Sequence, residues 1–401
     1  MMMKRSETMK KEGMEKKYRD AIFGLAIGDA LGVPYEFKSR GAFTCAGMTG
    51  FGTHKQPAGT WSDDTSMTIA TAKSLRDNEG AVDIGDIRHN FQMWVNEEGF
   101  NCNGYLFDIG NATSTALSTG HGCRDENSNG NGSLMRILPL AFTDCTDDEI
   151  REVSAITHGH EISMEACVIY VHVARRLLDG EPIGDILPTL QYGKPFGRLC
   201  RLDQLTEDEI RSGGYVVDTL EASLWVLAHS HDFREAVLAA VNLGGDTDTT
   251  GAVCGGLAGI AFGLESDFAG ECMEQLRGKE LIEECLPEEK DPLVSFSGKK
   301  CCLFADEIKK WKYASRLTQI KEYDEVGESW YADHLYHSLW QCSECGAVFL
   351  LDEVEQTSWS GENDTFRDDY YQVESKEHAD RLVSKYGRMF GVYEGPAHYE
   401  K

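Results

Sequence analysis

The sequence predicts an all-α domain of many helices, followed by a small α+β appendage at the C-terminus. Apolar residues recur with a period near 3.6 over most of 18–286, and the strict alternation typical of half-buried strands is scarce there. At Pro287 a charged linker bounded by prolines begins, and a segment rich in aromatic residues and mixed charge follows it. Within that segment, 347–351 has the pattern of a strand and 376–385 that of a helix.

The helical period defines eight segments within the first domain. They are 18–31, 65–75, 87–95, 133–141, 161–178, 219–228, 233–241 and 249–262. Glycines repeat at helical spacing, as Gly24 and Gly28 do, although glycine weakens a helix by about 1 kcal/mol relative to alanine. This favours close packing of helix axes. The predicted organisation is a polar N-terminal tail at 1–17, the helical domain at 18–286 and the appendage at 293–401.

The composition argues against several classes of function. The formal net charge of the 401 residues is −28, which disfavours nonspecific binding to nucleic acid or to an anionic membrane. No apolar run reaches membrane-spanning length, and the N-terminus lacks the apolar core of a signal peptide. Many of the thirteen cysteines, such as Cys167 and Cys254, lie in apolar surroundings typical of reduced thiols. We therefore expect a cytoplasmic protein that binds neither nucleic acid nor membrane.

The appendage contains potential ligands for a structural zinc ion. Four of them have a spacing that resembles a zinc knuckle: His334, His337, Cys342 and Cys345. Only four residues separate the histidine pair from the cysteine pair, so Cys301 and Cys302 are alternative partners for the second pair. A turn with buried thiols and no metal is the other interpretation.

Two acidic clusters are the most informative feature of the chain. The first is Trp-Ser-Asp-Asp-Thr at 61–65, and the second is Gly-Gly-Asp-Thr-Asp-Thr-Thr-Gly at 244–251. Neither contains a Lys or Arg, and burying several carboxylates without a cation is unfavourable. Carboxylate and hydroxyl oxygens suit hard divalent ions such as Mg²⁺ or Mn²⁺. We expect the fold to bring the clusters together around two ions, although each cluster alone also has the pattern of a helix N-cap.

Two further carboxylates lie beside turn signals. Glu36 follows the turn marked by Gly32 and Pro34, and it is either a general base for a water or a solvated loop residue. Asp108 precedes a predicted helix and is either a second functional carboxylate or a turn residue.

A loop rich in glycine and asparagine, at 129–132, leads into a predicted helix at Ser133. Backbone N–H groups and the helix dipole in such a loop suit an anion such as a diphosphate. The alternative is a flexible loop with Ser133 as the N-cap. His158, ahead of another helix, either contacts a phosphate or ribose hydroxyl or is structural. Together these features favour metal-assisted cleavage of a phosphorylated substrate, with no obvious nucleophile triad.

The ordered set of motifs resembles the ADP-ribosylglycohydrolase family, which includes the hydrolase of ADP-ribosylated dinitrogen reductase. The matching motifs are 28–32 with Glu36, 61–65, 108–111, 130–136, 157–158, 214–219 and 244–251, in the family's order. The resemblance spans 19–264 and leaves the appendage outside. It implies an all-α fold, a dinuclear Mg²⁺ or Mn²⁺ centre and hydrolysis of the glycosidic bond between ADP-ribose and a protein side chain.

The resemblance also implies roles for individual residues. The implied metal ligands are Ser62, Asp63, Asp64, Asp246, Asp248 and Thr249. The implied catalytic carboxylates are Glu36 and Asp108. The implied substrate-binding residues are Asn131, Gly132, Ser133, His158 and Tyr215, the last of which stacks on adenine.

Two other functions stay open from the sequence. One is hydrolysis of a small conjugate such as O-acetyl-ADP-ribose. The other is an immunity or regulatory protein that binds an ADP-ribosyltransferase or its target through the aromatic appendage. The complete set of carboxylates favours an enzyme, because a binding protein would not need every one of them. The expected partner is therefore an ADP-ribosylated protein or a small ADP-ribose conjugate.

Overall fold

The structure is a computed structural model that describes residues 2–286, 317–323, 334–356 and 365–386. The chain divides into two compact units, Met1–Glu288 and Glu289–Lys401. Among the helices described, none combines the length and the apolar character needed to cross a bilayer.

The described part of the first unit is built from α-helices and short 3₁₀ turns. Its α-helices are α1 (Met2–Gly32), α2 (Asp63–Asp77), α3 (Ile84–Val95), α4 (Asn111–Thr119), α5 (Asp147–Ala155), α6 (Glu161–Leu178), α7 (Ile183–Ile186), α8 (Val216–Ala228), α9 (Phe233–Asn242), α10 (Thr247–Phe262), α11 (Asp267–Gln275) and α12 (Lys279–Cys285). Seven of the eight predicted segments are confirmed as helices. Helix α1 continues upstream of residue 18, through the segment that the sequence marks as a polar tail.

The prediction of a helix at 133–141 is wrong. This segment forms two 3₁₀ turns, Leu134–Arg136 and Leu138–Phe142. Pro139 explains the difference, because it lacks the N–H that a continuous α-helix would need and its ring disfavours the α conformation in the preceding residue. The apolar side chains are nevertheless buried, since the 3₁₀ turns still direct them into the core.

Helices α1 and α10 pack at backbone contact through glycines. A Cβ atom added to Gly28 would lie 2.0 Å from the carbonyl oxygen of Gly251, and one added to Gly255 would lie 2.3 Å from that of Gly24. No other residue tolerates such an approach. At the end of α1, a Cβ on Gly32 would lie 2.4 Å from Cα of Asp248. The glycine contacts therefore bring the start of α10 against the turn that carries Glu36.

The described part of the second unit is an antiparallel sheet with one helix. Strands β1 (Leu317–Glu322), β2 (His334–Cys342), β3 (Val348–Gln356) and β4 (Thr365–Val373) pair in chain order, and α13 (Lys376–Tyr386) contacts β2, β3 and β4. This confirms the predicted helix at 376–385 and places the predicted strand 347–351 largely within β3. Leu339 and Leu350 pack with Ala379 and Leu382 of the helix.

The zinc-knuckle arrangement of His337 with Cys342 is not formed. Side chains alternate between the faces of a strand, so His337 shares the face of Leu339, which packs on α13, whereas Cys342 lies on the opposite face with Phe349. Cys345 is exposed in the turn that follows. Within the described residues, no group of three His, Cys, Asp or Glu ligands gathers around this pair. Cys301 and Cys302 lie outside the described residues, so zinc binding through them stays a prediction.

Candidate active site

Asp29, near the end of α1, anchors the start of α2. Its carboxylate accepts hydrogen bonds from the backbone N–H groups of Ser62 at 2.9 Å and Thr65 at 3.0 Å, and from the Thr65 hydroxyl at 2.6 Å. Burial raises the pKa of Asp29 to about 6, although these hydrogen bonds oppose the effect. The first acidic cluster is therefore held in place by a carboxylate more than thirty residues upstream.

The two acidic clusters meet through hydroxyl contacts to Asp64. Ser62 is the N-cap of α2, as its position predicts, and its hydroxyl donates to Oδ2 of Asp64 at 3.0 Å. The Thr249 hydroxyl, from the second cluster, lies 3.4 Å from the same oxygen. One carboxylate oxygen of Asp64 thus connects the start of α2 to the start of α10.

Two glycines with positive φ shape the second cluster. Gly244 and Gly245 have φ values of 75° and 77°, a region that residues with a Cβ rarely adopt. The turn directs the backbone N–H of Asp246 to the carbonyl of Ser212 at 2.8 Å. Asp246 is the N-cap residue of α10, but its side chain makes no capping hydrogen bond and instead accepts from the side-chain amide of Asn131 at 2.9 Å. The cap interpretation therefore does not account for this carboxylate.

Two carboxylate oxygens at this junction have no hydrogen-bond partner in the part of the chain that the structure describes. Oδ1 of Asp64 and Oδ1 of Asp246 are buried and make no hydrogen bond among the described residues. Carboxylate oxygens of Asp29, Asp64 and Asp248 lie within 4.8 Å of one another. Burial, reinforced by neighbouring carboxylates, raises the pKa values of Asp64 and Asp248 well above their usual range. A hard divalent cation fits this all-oxygen donor set and would neutralise the charge that burial opposes.

Beside this junction lies a second group of ionisable side chains. Nε2 of His54 hydrogen bonds to Oε2 of Glu36 and lies 3.9 Å from Oδ2 of Asp108. Ligand atoms of these three residues and of Asp248 also fall within 4.8 Å of one another. Asp63 is half-buried, and burial followed by the charge of Asp108 raises its pKa well above the usual range.

The pKa values of Glu36, Asp108 and His54 are all raised from their usual values. Burial raises the pKa values of Glu36 and Asp108, while His54 opposes the shift in both. The hydrogen bond that the protonated imidazole of His54 donates to Glu36 raises the pKa of His54 against the effect of burial. A protonated imidazole is thus stabilised between two carboxyl groups that the sequence singles out as potential proton acceptors.

The loop rich in glycine and asparagine at 129–132, called the Gly/Asn loop below, forms backbone hydrogen bonds with the segment that precedes α8. The N–H of Asn131 donates to the carbonyl of Gly214 at 3.1 Å, and the N–H of Val216 donates to that of Asn129 at 3.0 Å. This pairing places Tyr215 beside the loop, with 38% of its surface exposed. An exposed aromatic ring at this position is available to stack on a planar group.

Ser133 and His158 lie beneath the loop rather than at its surface. The Ser133 hydroxyl is fully buried, accepts from that of Ser154 at 2.9 Å and does not cap the following turn. The imidazole of His158 is 3% exposed and packs against Gly130 and Gly132. Because a three-residue 3₁₀ turn follows the loop, the expected contribution of an α-helix dipole is absent there.

A sequence model of the ADP-ribosylglycohydrolase family matches residues 10–299 of the chain. The chain belongs to the ADP-ribosylglycohydrolase family. This glycohydrolase is accordingly a glycosidic hydrolase, and the predicted resemblance is confirmed. Residues from 300 onward, which include the sheet of the second unit, lie outside the family match.

Relatives of this chain have names that describe hydrolases of ADP-ribosylated groups. The ADP-ribosylarginine hydrolase Tri1 of Pseudomonas putida is 32% identical, over 71% of this chain and 80% of its own. The ADP-ribosyl-[dinitrogen reductase] glycohydrolase of Rhodospirillum rubrum is 28% identical, over 69% of this chain and 95% of its own. A solved structure described as an ADP-ribosylglycohydrolase-related protein complex shares 32% identity with a TM-score of 0.59, and the similarity covers 69% of this chain and 98% of that one.

Sequence reasoning missed two residues of the candidate site. Asp29 stands inside a recognised motif, but its hydrogen bonds to α2 depend on a contact distant in sequence. His54 lies in a loop without periodicity. Its contact with Glu36 forms only in the folded protein, where the Thr53 hydroxyl donates a hydrogen bond of 2.7 Å to the carbonyl of Glu36 and joins the two loops. A histidine eighteen residues from its carboxylate gives no local signal.

Proposed function

We propose that this glycohydrolase is a metal-dependent enzyme that cleaves the N-glycosidic bond between ADP-ribose and an arginine side chain of a protein. The metal part of the proposal is supported by the buried carboxylate oxygens of Asp64 and Asp246 that make no hydrogen bond to any described residue. The arginine linkage is supported by the relatives named ADP-ribosylarginine hydrolase, from Pseudomonas putida and Serratia proteamaculans, at 32% and 31% identity.

Two divalent cations, Mg²⁺ or Mn²⁺, are the proposed cofactor. The residues that would hold them are Ser62, Asp63, Asp64, Asp246, Asp248 and Thr249. When bound, such ions lower the pKa of a water and orient the hydroxyls of a sugar. Asp29 would fix the first group of ligands by accepting hydrogen bonds from Ser62 and Thr65, and Asn131 would orient Asp246.

The proposed proton transfer uses the carboxyl groups beside His54. Either Asp108 or Glu36 accepts a proton from the attacking water, whose oxygen adds to the anomeric carbon. The bond to the side-chain nitrogen breaks through an oxocarbenium-like state, its electron pair stays on the nitrogen, and the departing nitrogen takes up the proton that the carboxylate received from the water. His54 holds the carboxylate of Glu36 and lies close enough to Asp108 to stabilise its charge. The products are free ADP-ribose and unmodified arginine.

The guanidinium of a modified arginine suits the charge of this region. Glu36, Asp108 and Asp63 lie close together: the charge of Asp108 raises the pKa values of Glu36 and Asp63, and the charge of Glu36 also raises that of Asp63. A planar cation among such carboxylates is attracted to them and can form paired hydrogen bonds. A neutral serine linkage would not offset the same charge.

The Gly/Asn loop and its neighbours are the proposed site for the rest of the ligand. Gly132 would present its backbone N–H to the diphosphate, next to Asn131, whose own N–H donates to Gly214, and with Ser133 beneath them; His158 would contact a phosphate or the distal ribose. Tyr215 would stack on adenine, which its exposure beside the loop supports.

The decisive experiment incubates the purified full chain with peptides that carry ADP-ribosyl-arginine or ADP-ribosyl-serine, and with O-acetyl-ADP-ribose. Each reaction is run with Mg²⁺, with Mn²⁺ and with a chelator. We expect metal-dependent release of ADP-ribose from the arginine peptide and much slower release from the others. Release from the serine peptide or the acetyl ester alone would refute the linkage, and full activity in chelator would refute the metal centre.

A double variant distinguishes the loss of catalysis from the loss of the folded state. Asp246→Asn with Asp248→Asn keeps the shape of both side chains and removes their charge. We expect loss of turnover together with loss of the rise in melting temperature that Mg²⁺ or Mn²⁺ gives the wild-type protein. The exposed pair Asp144→Asn and Asp148→Asn is the control and should leave both readouts unchanged.

A further inference from the structure

A buried arginine connects the core to the imidazole beneath the Gly/Asn loop. The guanidinium of Arg136 is fully buried and stacks 4.5 Å from the ring centroid of Phe91, and its Nε and Nη1 make no hydrogen bond within the described residues. Its Nη2 donates to the hydroxyl of Thr157 at 2.8 Å and to the carbonyl of Val153 at 3.2 Å. This cation therefore directs its hydrogen bonds at the segment that precedes His158.

The Thr157 hydroxyl has two polar neighbours among the described residues. It accepts from Arg136, because a guanidinium can only donate. Its second neighbour, at 2.8 Å, is Nδ1 of His158. If Nδ1 carried a proton, the fully buried hydroxyl would have no acceptor for its own hydrogen, which is an unfavourable arrangement. The hydroxyl therefore donates to Nδ1, and the imidazole proton belongs on Nε2.

The other side of the ring is directed toward the Gly/Asn loop. A Cβ atom added to Gly130 or to Gly132 would lie 3.4 Å from Nε2 of His158. Nε2 makes no hydrogen bond to the described residues, and it is not among the fully buried unpartnered atoms. Burial, assisted by the nearby charge of Arg136, lowers the pKa of His158 to about 3, so the ring is neutral at physiological pH.

We propose that Arg136 and Thr157 are positioning residues that hold His158 in the Nε2–H tautomer, so that it donates one hydrogen bond to an oxygen of the ADP-ribosyl group bound at the Gly/Asn loop. The ligand half rests on the proposed function, whereas the tautomer half rests on hydrogen-bond geometry alone. Because the ring is neutral, it binds the ligand by donating a hydrogen bond from Nε2 and not through a positive charge. Ser133 lies below the same loop, and its buried hydroxyl hydrogen bonds to Ser154 instead of facing the ligand.

The tautomer is tested by NMR on the full chain labelled with ¹⁵N-histidine. The resonances of His158 are identified by their loss in His158→Asn. We expect Nε2 to carry the proton and Nδ1 to behave as an acceptor in the wild type and in Thr157→Ser. In Thr157→Val, which removes the hydroxyl with little change of shape, both tautomers should be populated. A proton on Nδ1 in the wild type would overturn the proposal.

The ligand half is tested by calorimetric binding of ADP-ribose. We expect Thr157→Val to weaken the affinity in proportion to the fraction of His158 that leaves the Nε2–H tautomer, about twofold when both tautomers are equally populated, and Thr157→Ser to retain it. In turnover of a modified peptide, KM should rise and kcat should change little, because the contact lies away from the bond that breaks. Unchanged affinity in a folded Thr157→Val protein would refute the donor role. No ADP-ribose binding by the wild type would refute the ligand half and the proposed function, but not the tautomer.

Discussion

The side-chain amide of Asn131 donates a hydrogen bond of 2.9 Å to Oδ2 of Asp246 and a second of 2.9 Å to the hydroxyl of Thr219. Both amide hydrogens are thereby used within the protein. These bonds connect the Gly/Asn loop to the start of α10, and Oδ1 of Asp246 remains buried with no hydrogen-bond partner among the residues described. The proposed phosphate site and the proposed metal site therefore share one residue.

Asn131→Ala should weaken the binding of Mg²⁺ or Mn²⁺ about 10- to 100-fold, because Asp246 loses the donor that orients it. Metal affinity is measured by recording the melting temperature as Mg²⁺ or Mn²⁺ is titrated into each protein. The exposed Asn127→Ala, from the same connection, is the matched control and should bind metal as the wild type does. Equal affinities in the two variants would contradict a link between the loop and the metal site.

Asp248→Asn should make the metal-free protein more stable than the wild type. The carboxyl group is buried among Glu36, Asp246, Asp64 and Asp29, so removing its charge removes both an unfavourable burial and a repulsion. The same variant should lose the stabilisation by metal. Thermal unfolding with chelator and with Mg²⁺ measures both effects, and a less stable metal-free variant would count against unneutralised charge at this position.

The free energy of unfolding of the metal-free protein should fall as pH rises from about 4 to about 7, the range in which the Asp29 carboxyl loses its proton first in the unfolded and then in the folded state. Burial raises the pKa of Asp29 to about 6 and those of Asp64 and Asp248 well above their usual range, whereas unfolded Asp titrates near about 4. The folded state therefore holds more protons than the unfolded state, and the free energy of unfolding decreases as these protons leave. His158, whose pKa is lowered to about 3, acts in the opposite sense below about pH 6.5.

Unfolding in chelator at several pH values measures this trend, and Mg²⁺ should stabilise the protein more at the upper end because a cation replaces the lost protons. If the free energy of unfolding of the metal-free protein increased over this pH interval, the pKa values of the buried carboxyl groups would not be raised as described.

His54→Gln should lower kcat about 10- to 100-fold, because Glu36 loses the group that holds its carboxylate and Asp108 loses a nearby positive charge. Steady-state hydrolysis of the modified peptide gives the rate, and ADP-ribose binding should be retained. His89→Gln, on the exposed side of α3, is the control. A variant with the wild-type kcat would exclude His54 from the catalytic arrangement.

Gly28→Ala should destabilise the helical unit by about 3 kcal/mol or more, since its Cβ would lie 2.0 Å from a backbone oxygen of α10 that cannot move independently. Gly13→Ala, in the same helix with no atom within 4 Å of the added methyl, should instead stabilise it by about 0.5–1 kcal/mol. Denaturant unfolding of both proteins provides the comparison. A tolerated Gly28→Ala would contradict the glycine-mediated contact between α1 and α10.

Local patterns were sufficient for most of the helices, because an amphipathic or small-residue period is a property of neighbouring residues. The exception at 133–141 is also local in origin, since Pro139 interrupts hydrogen bonding whatever the apolar pattern. In the appendage, strand alternation separates His337 from Cys342, which spacing along the chain does not reveal.

The sequence by itself determined which residue types are available for chemistry: two clusters of carboxylates and hydroxyls, a glycine-rich loop and the family motifs that contain them. Only the tertiary structure decided which of them meet. Glycine contacts between α1 and α10 set Asp248 against the Glu36 turn, and Asp29 fixes α2 so that Asp64 reaches Thr249. These contacts join residues far apart in the chain, and they form only when the helices pack. The proton position inferred for His158 likewise depends on Arg136, which is twenty-two residues away in sequence and adjacent only in the folded core.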